Sequence, residues 1–132
     1  MAENFHKVKN HILDLGFDIS HFNEADNVMV VNDPSSGLNN LVIGVTDPLV
    51  IFEQFIFECR EENITIFKSL LQKNRDIIHG AFVLDDTGKK VIFRDTLELE
   101  NLDRNEIEGT INSLSLLLSE YSDELIKFSH LN

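Results

Sequence analysis

The tripeptide Asp86-Thr87-Gly88 has the spacing of a catalytic motif. It matches the core of an aspartic protease site, in which two carboxylates share a proton and each subunit of a dimer supplies one of them. Lys89 and Lys90 follow it directly, as expected of a solvated turn. Asp-Thr-Gly between two strands is also what a tight hairpin prefers, because glycine tolerates a positive φ. We therefore interpret the tripeptide as a turn.

The other residues that could do chemistry lack the spacing that chemistry needs. The histidines (His6, His11, His21, His79 and His130) form no metal-binding frame with one another or with the single cysteine. The chain contains neither a nucleophile elbow nor a phosphate-binding loop. Cys59 has Glu58 and Glu61 as neighbours, whose charges would raise its thiol pKa. We predict no catalytic residue, no metal site, no cofactor and no enzyme activity, and single out only His79 for a pH-linked role.

The charge balance excludes two classes of partner. The chain has 132 residues with 23 acidic and 11 basic ones, and its formal net charge is −12 at pH 7. Binding to the nucleic-acid backbone or to an anionic membrane needs clustered basic residues, so we expect neither partner. The first residues lack the pattern of a secretory signal, and one cysteine cannot form an internal disulfide. We expect one cytoplasmic domain over residues 1–132.

The apolar periodicity predicts the elements that must position any site. Helices are expected at about 3–15, 64–73 and from Asp103 onward, with Asn63 and Asp103 as N-caps. The predicted apolar face of the second helix consists of Ile64, Phe67, Leu70 and Leu71. Strands are expected at about 27–31, 41–46, 49–58, 79–84 and 91–97. The order α-β-β-β-α-β-β-α predicts an α+β fold with an antiparallel five-stranded sheet and three helices.

The third predicted strand is apolar on both of its faces. Its alternation places Leu49, Ile51, Phe55 and Phe57 on one side and Val50, Phe52 and Ile56 on the other. Either the monomer buries both faces, or one face meets a second subunit or an apolar partner segment. We favour the second explanation because three helices can hardly cover both faces. The predicted partner- or dimer-binding residues are Leu49, Ile51, Phe52, Phe55, Phe57, Phe82, Ile92 and Phe93.

The element order and three local segments resemble the YbjN family and its type III secretion chaperone-like (Tir chaperone-like) fold. The segments are Leu70-Leu71-Gln72-Lys73-Asn74, Gly80-Ala81-Phe82-Val83-Leu84-Asp85 with Gly88, and Leu97-Glu98-Leu99-Glu100-Asn101-Leu102-Asp103. The resemblance implies a small, acidic, non-enzymatic homodimer that holds extended segments of a protein partner. It implies no catalytic residue.

Two hypotheses about function follow. In the first, the chain is a chaperone-like homodimer that sequesters an extended or partly unfolded protein partner through strand addition at a sheet edge and apolar pockets. In the alternative, it is a regulatory or adaptor domain that binds one specific folded signalling partner. Acidic residues around the start of the last helix (Glu98, Glu100, Asp103, Glu106 and Glu108) either complement the helix dipole or form a surface for a basic partner.

Overall fold

The computed structural model describes residues 2–131, so Met1 and Asn132, the ends of the predicted domain, lie outside the described residues. The helices are α1 (Ala2–Asp14), α2 (Ile64–Asn74) and α3 (Arg104–His130). The strands are β1 (Asp18–Asn23), β2 (Val28–Asp33), β3 (Leu38–Thr46), β4 (Leu49–Glu58), β5 (Ala81–Leu84) and β6 (Lys90–Glu98). They form one antiparallel sheet in the order β1-β2-β3-β4-β6-β5. The predicted α+β class is confirmed.

The sheet has six strands rather than the predicted five, because β1 was missed. Two features hide this edge strand in the sequence. Its pairing register shifts between Ile19 and His21, which interrupts the alternation of apolar and polar residues. Polar residues, among them Asp18 and Asn23, occupy four of the six positions of β1, as is common at a sheet edge.

Local capping sets where two of the helices begin. The side chain of Asn63 accepts a hydrogen bond from the backbone N–H of Ile66 at 3.1 Å. Asp103 accepts one from the N–H of Glu106 at 2.9 Å. Each bond satisfies one of the backbone donors that a helix start leaves unpaired, so both predicted N-caps are confirmed.

The helices pack against one face of the sheet. α3 lies on β4 and β6, α1 contacts β1 and α3, and α2 contacts β5. The residues that meet in this layer are fully or nearly fully buried; they include Val8, Ile12, Met29, Ile43, Val50, Phe52, Val91, Phe93, Ile107, Ile111 and Leu114. The hydroxyl of Thr110 on α3 donates to the carboxylate of Asp95 on β6 at 2.7 Å, which adds a polar contact between the two layers.

A partly enclosed ammonium group joins α2 to α3. Lys73 Nζ lies 2.8 Å from Glu124 Oε2 and 2.8 Å from Ser69 Oγ. The same nitrogen lies 5.0 Å from the ring centroid of Tyr121 and 5.9 Å from that of Phe128, within cation–π range. The Lys73 side chain is only 11% exposed. This single cation therefore connects the end of α2 to the second half of α3.

Gln54 is a buried polar residue on β4 with a defined structural task. Its Oε1 accepts from the N–H of Asn39 at 3.1 Å, and its Nε2 donates to the carbonyl of Gly37 at 3.1 Å. The side chain thus holds the start of β3 against β4. Both partners are backbone groups. Removing the amide of Gln54 therefore leaves the N–H of Asn39 and the carbonyl of Gly37 without this hydrogen-bond partner.

Replacing Gln54 with Leu is expected to lower the free energy of unfolding by about 1–3 kcal/mol, the usual cost of leaving partly buried backbone groups unpaired. Urea unfolding followed by circular dichroism measures the change. Gln72→Leu, at an exposed position of α2, is the matched control and should change stability by less than ~0.5 kcal/mol. Equal effects of the two substitutions would contradict the assigned role of Gln54.

Candidate protein-binding surfaces

The sheet face opposite the helix layer is not covered by any helix among residues 2–131. We call it the open face. By strand register and alternation, its apolar side chains are Val28, Val30, Val42, Leu49, Ile51, Phe55, Val83 and Ile92. Phe55 has the largest exposed fraction of these side chains, at 53%. The ion pair between Glu53 and Arg94 on the neighbouring strands β4 and β6 lies in the middle of this face.

Four of the eight predicted binding residues lie on the open face, namely Leu49, Ile51, Phe55 and Ile92. The other four, Phe52, Phe57, Phe82 and Phe93, are buried in the core under the helices. The side chains of Phe52, Phe57 and Phe93 point to the face that the helices cover, so the monomer does not present them to a partner, whereas the buried Phe82 also lines the groove between α2 and β5. Whether the first four bind a partner stays a prediction.

Phe57 reaches the core through a bulge in β4. The pairing of β4 with β6 shifts between Phe55 and Phe57, so the residue between them has no opposite partner. This extra residue turns Phe57 toward the helices, where its ring lies 6.3 Å from that of Phe128. The sequence alternation, which places Phe55 and Phe57 on the same side, therefore fails at this point.

A second apolar surface lies between α2 and the edge strand β5. The predicted apolar face of α2 packs only in part: Leu70 is buried and Phe67 packs against the core, as does the unpredicted Ile66. Ile64 is 81% exposed and Leu71 is 70% exposed. Beside them is a groove of about 480 Å³. It is lined by Phe67, Leu70, Leu71, Phe82, Val83, Leu84 and Val91, and we call it the α2–β5 groove.

The edge of β5 is capped by a side chain. Asn74 Nδ2 donates to the carbonyl of Phe82 at 3.0 Å, and Asn74 Oδ1 accepts from the N–H of Phe82 at 2.8 Å. These are the outward-facing backbone groups of β5, since alternate residues of a strand direct their N–H and C=O to opposite sides. Asn74 therefore takes the place that a further strand would occupy at the centre of this four-residue strand. A partner that adds a strand to β5 has to displace Asn74.

The Asp86-Thr87-Gly88 turn is confirmed as part of the hairpin between β5 and β6. Asp85 Oδ1 accepts from the hydroxyl of Thr87 at 2.6 Å and from the N–H of Lys90 at 3.2 Å. The bond from Thr87, followed by those from the backbone, lowers the pKa of the Asp85 carboxyl. The tripeptide thus belongs to a hydrogen-bonded turn that holds an ionised carboxylate.

The remaining groups singled out from the sequence lie outside both surfaces. Burial raises the pKa of the Cys59 thiol, which donates to the carbonyl of Glu61 at 3.2 Å; the neighbouring carboxylates are not the cause. The hydroxyl of Ser113 on α3 donates to the carbonyl of His79 at 2.7 Å, so the segment before β5 is tied to α3. Residues 2–131 contain no group of three His, Cys, Asp or Glu side chains arranged to hold a metal ion.

The family model CesT_Tir_1 matches residues 1–131 of the sequence. The chain belongs to the CesT_Tir_1 family. This is a type III chaperone-like family, so the chain is a chaperone-like protein-binding module. No curated protein matches the sequence. None of the helices between residues 2 and 131 is both long and apolar enough to cross a bilayer.

Two solved structures share the fold of this CesT_Tir_1 chain. YbjN from E. coli, proposed to be a transcription regulator, aligns with a TM-score of 0.71 and 12% identity over 94% of each chain. An uncharacterised protein from Methanothermobacter thermautotrophicus aligns with a TM-score of 0.59 and 14% identity, over 96% of this chain and 99% of the other. At these identities the likeness concerns the fold, and it confirms the YbjN-like architecture.

Replacing Asn74 with Ala is expected to open the β5 edge of the CesT_Tir_1 fold. Two uncapped edges can then pair with each other, so assemblies larger than those of the wild type should form as the concentration rises. Sedimentation velocity over a range of concentrations measures this change. Asn112→Ala, at an exposed position of α3, is the control, and identical sedimentation of all three proteins would contradict the capping role.

Proposed function

We propose that this chain is a non-enzymatic chaperone-like module that forms a homodimer and holds an extended or partly unfolded segment of a protein partner. The observation that carries the proposal is the open face: an apolar sheet surface left uncovered in a chain of a chaperone-like family. Contiguous apolar surface of this kind is uncommon on proteins that have no partner. In this proposal the partner segment covers Ile51, Phe55 and Ile92.

The size of the open face supports the proposal. Neighbouring strands lie about 4.8 Å apart and rise about 3.3 Å per residue. With six strands, three of them nine or ten residues long, the face covers on the order of 700 Å². A standard protein–protein interface buries about 800 Å² on each partner, so the open face is large enough for a specific complex.

The α2–β5 groove and the exposed side of α2 supply a separate surface for the second copy. Ile64, Phe67 and Leu71 are spaced by three and four residues and form one narrow apolar stripe, the pattern of a helix-pairing seam. A two-fold axis beside this stripe would pack α2 of one protomer against α2 of its partner. Because Asn74 caps β5, the dimer would form through side chains rather than through a continuous sheet. The open face then remains available to the partner.

The capped edge favours the adaptor as a second candidate function. A partner that cannot extend the sheet at Phe82 has to bind through surface complementarity, which a preformed folded protein also provides. The two functions differ in their response to an unfolded chain. Reduced and carbamidomethylated ribonuclease A, a basic protein without disulfides, should bind to a chaperone-like module and should not bind to an adaptor.

Replacing Leu71 with Asp is expected to shift the protein from dimer to monomer, because a charge would be placed in the apolar seam. Light scattering coupled to size-exclusion chromatography at micromolar concentration measures the mass. Gln72→Asp adds the same charge at the neighbouring exposed position and should leave the dimer intact. A monomeric wild type, or loss of the dimer in both variants, would argue against this seam.

Replacing Phe55 with Asp is expected to lower the affinity for reduced, carbamidomethylated ribonuclease A at least tenfold while the dimer persists. The substitution puts a charge where apolar surface would be buried. Fluorescence anisotropy of the labelled, unfolded ribonuclease gives the affinity. Leu13→Asp changes an exposed leucine on α1 and should leave binding unchanged, whereas equal losses in both variants would refute the role of the open face.

A further inference from the structure

Three connecting segments bring carboxylates to one end of the sheet. They are residues 23–28, 46–49 and 98–103, and they contain no lysine or arginine. The pairing of Val28 with Gly44, and of Leu49 with both Thr46 and Glu98, puts them side by side. We call this the acidic end of the sheet. Its carboxylates are Glu24, Asp26, Asp47, Glu98, Glu100 and Asp103.

The fold makes use of three of these carboxylates. Asp26 bonds to the side chain of Asn23, Asp103 caps α3, and Glu24 lies 2.8 Å from the ring nitrogen of His6. The side chains of Asp47, Glu98 and Glu100 are exposed and have no hydrogen bond or ion pair within residues 2–131. Glu98 lies directly beside Leu49 on the open face. The unused negative charge therefore borders the apolar surface.

The opposite end of the sheet has a different charge pattern. Arg60 pairs with Glu58, and Lys90 lies across from Glu58 on β6. In the middle of the face, Arg94 is paired with Glu53. The opposite end also contains Asp18, Asp33, Asp85 and Asp86, so it has basic as well as acidic groups, whereas the three segments of the acidic end contain acidic groups alone.

We propose that the open face binds an extended apolar segment of a partner protein whose flanking basic residues lie over the acidic end. This inference rests on the function proposed above and specifies the partner's chemistry. Apolar side chains of the segment would cover Val42, Ile51 and Phe55, and its lysines or arginines would approach Asp47 and Glu98. Each exposed ion pair adds little by itself, but several together steer association and fix the orientation of the segment.

Three synthetic peptides test the proposal by fluorescence anisotropy. They share a core of alternating Val and Thr and end in a short run of Lys, of Gln or of Glu. At about 0.02 M salt the Lys peptide should bind at least tenfold more tightly than the Gln peptide, and the Glu peptide should bind more weakly than both. The advantage of the Lys peptide should fall toward twofold at about 0.5 M salt, because screening shortens the reach of exposed charges.

Charge-reversed variants separate a local effect from an effect of net charge. Glu98→Lys combined with Glu100→Lys should abolish the preference for the Lys peptide. Glu61→Lys combined with Glu62→Lys makes the same change in charge at exposed positions beyond the other end of β4, and should keep the preference within about twofold. If both double variants weaken binding equally, net charge alone attracts the peptide, and the proposal is overturned.

The Gln peptide distinguishes failure of this inference from failure of the proposed function. If it binds as tightly as the Lys peptide and Phe55→Asp weakens both, the acidic end has no role, while the open face remains a binding surface. If Phe55→Asp changes the binding of neither peptide, the open face is not the site and both proposals fail. A preference for the Lys peptide that requires both Phe55 and Glu98 supports both.

Discussion

The fold depends on the burial of one face of the sheet under α3. Ile107, Ile111 and Leu114 of this helix are at most 1% exposed, and they belong to the same core as Phe52 and Phe93 at the centre of the sheet. Burying side chains of this size contributes about 1.5–3 kcal/mol each. Because α3 and α1 lie on this side and α2 only extends the layer toward β5, no helix in the described part of the chain, residues 2–131, covers the other side. The open face is thus a direct result of how the core is built.

Closed edges accompany the open face. The register shift and polar residues of β1 make one edge a poor template for pairing, and Asn74 caps the other at Phe82. A module that exposes apolar side chains without exposing a long unpaired strand can bind other proteins with less risk of forming fibrils. The net charge of −12 adds repulsion between copies. Together these features reconcile an apolar surface with solubility.

Much of this fold could be predicted from the sequence because it depends on interactions between residues close together in the chain. The features that were not predicted depend on contacts between elements far apart in the chain. The caps Asn63 and Asp103 act within three residues of their helix starts, so the sequence alone identifies them. The bulge before Phe57 depends on the pairing with β6, which no local pattern encodes. Apolar spacing on α2 could not tell the packed face from the exposed one, since both contain isoleucine and leucine. No sequence pattern identifies Asn74 as the cap of β5, because its partner Phe82 becomes its neighbour only when α2 and β5 pack side by side.

The alternation along β4 divides the strand into two independent sets of residues. One set stabilises the fold and consists of the buried residues Val50, Phe52 and Gln54. The other set contributes to the open face and includes Ile51 and Phe55. Substitutions in the second set therefore need not disturb packing in the first. The fold can act as a scaffold on which a recognition surface changes, by evolution or by design, without a matching loss of stability. Its capacity to acquire new partners follows from the open face, whose side chains are not needed for packing against the helices.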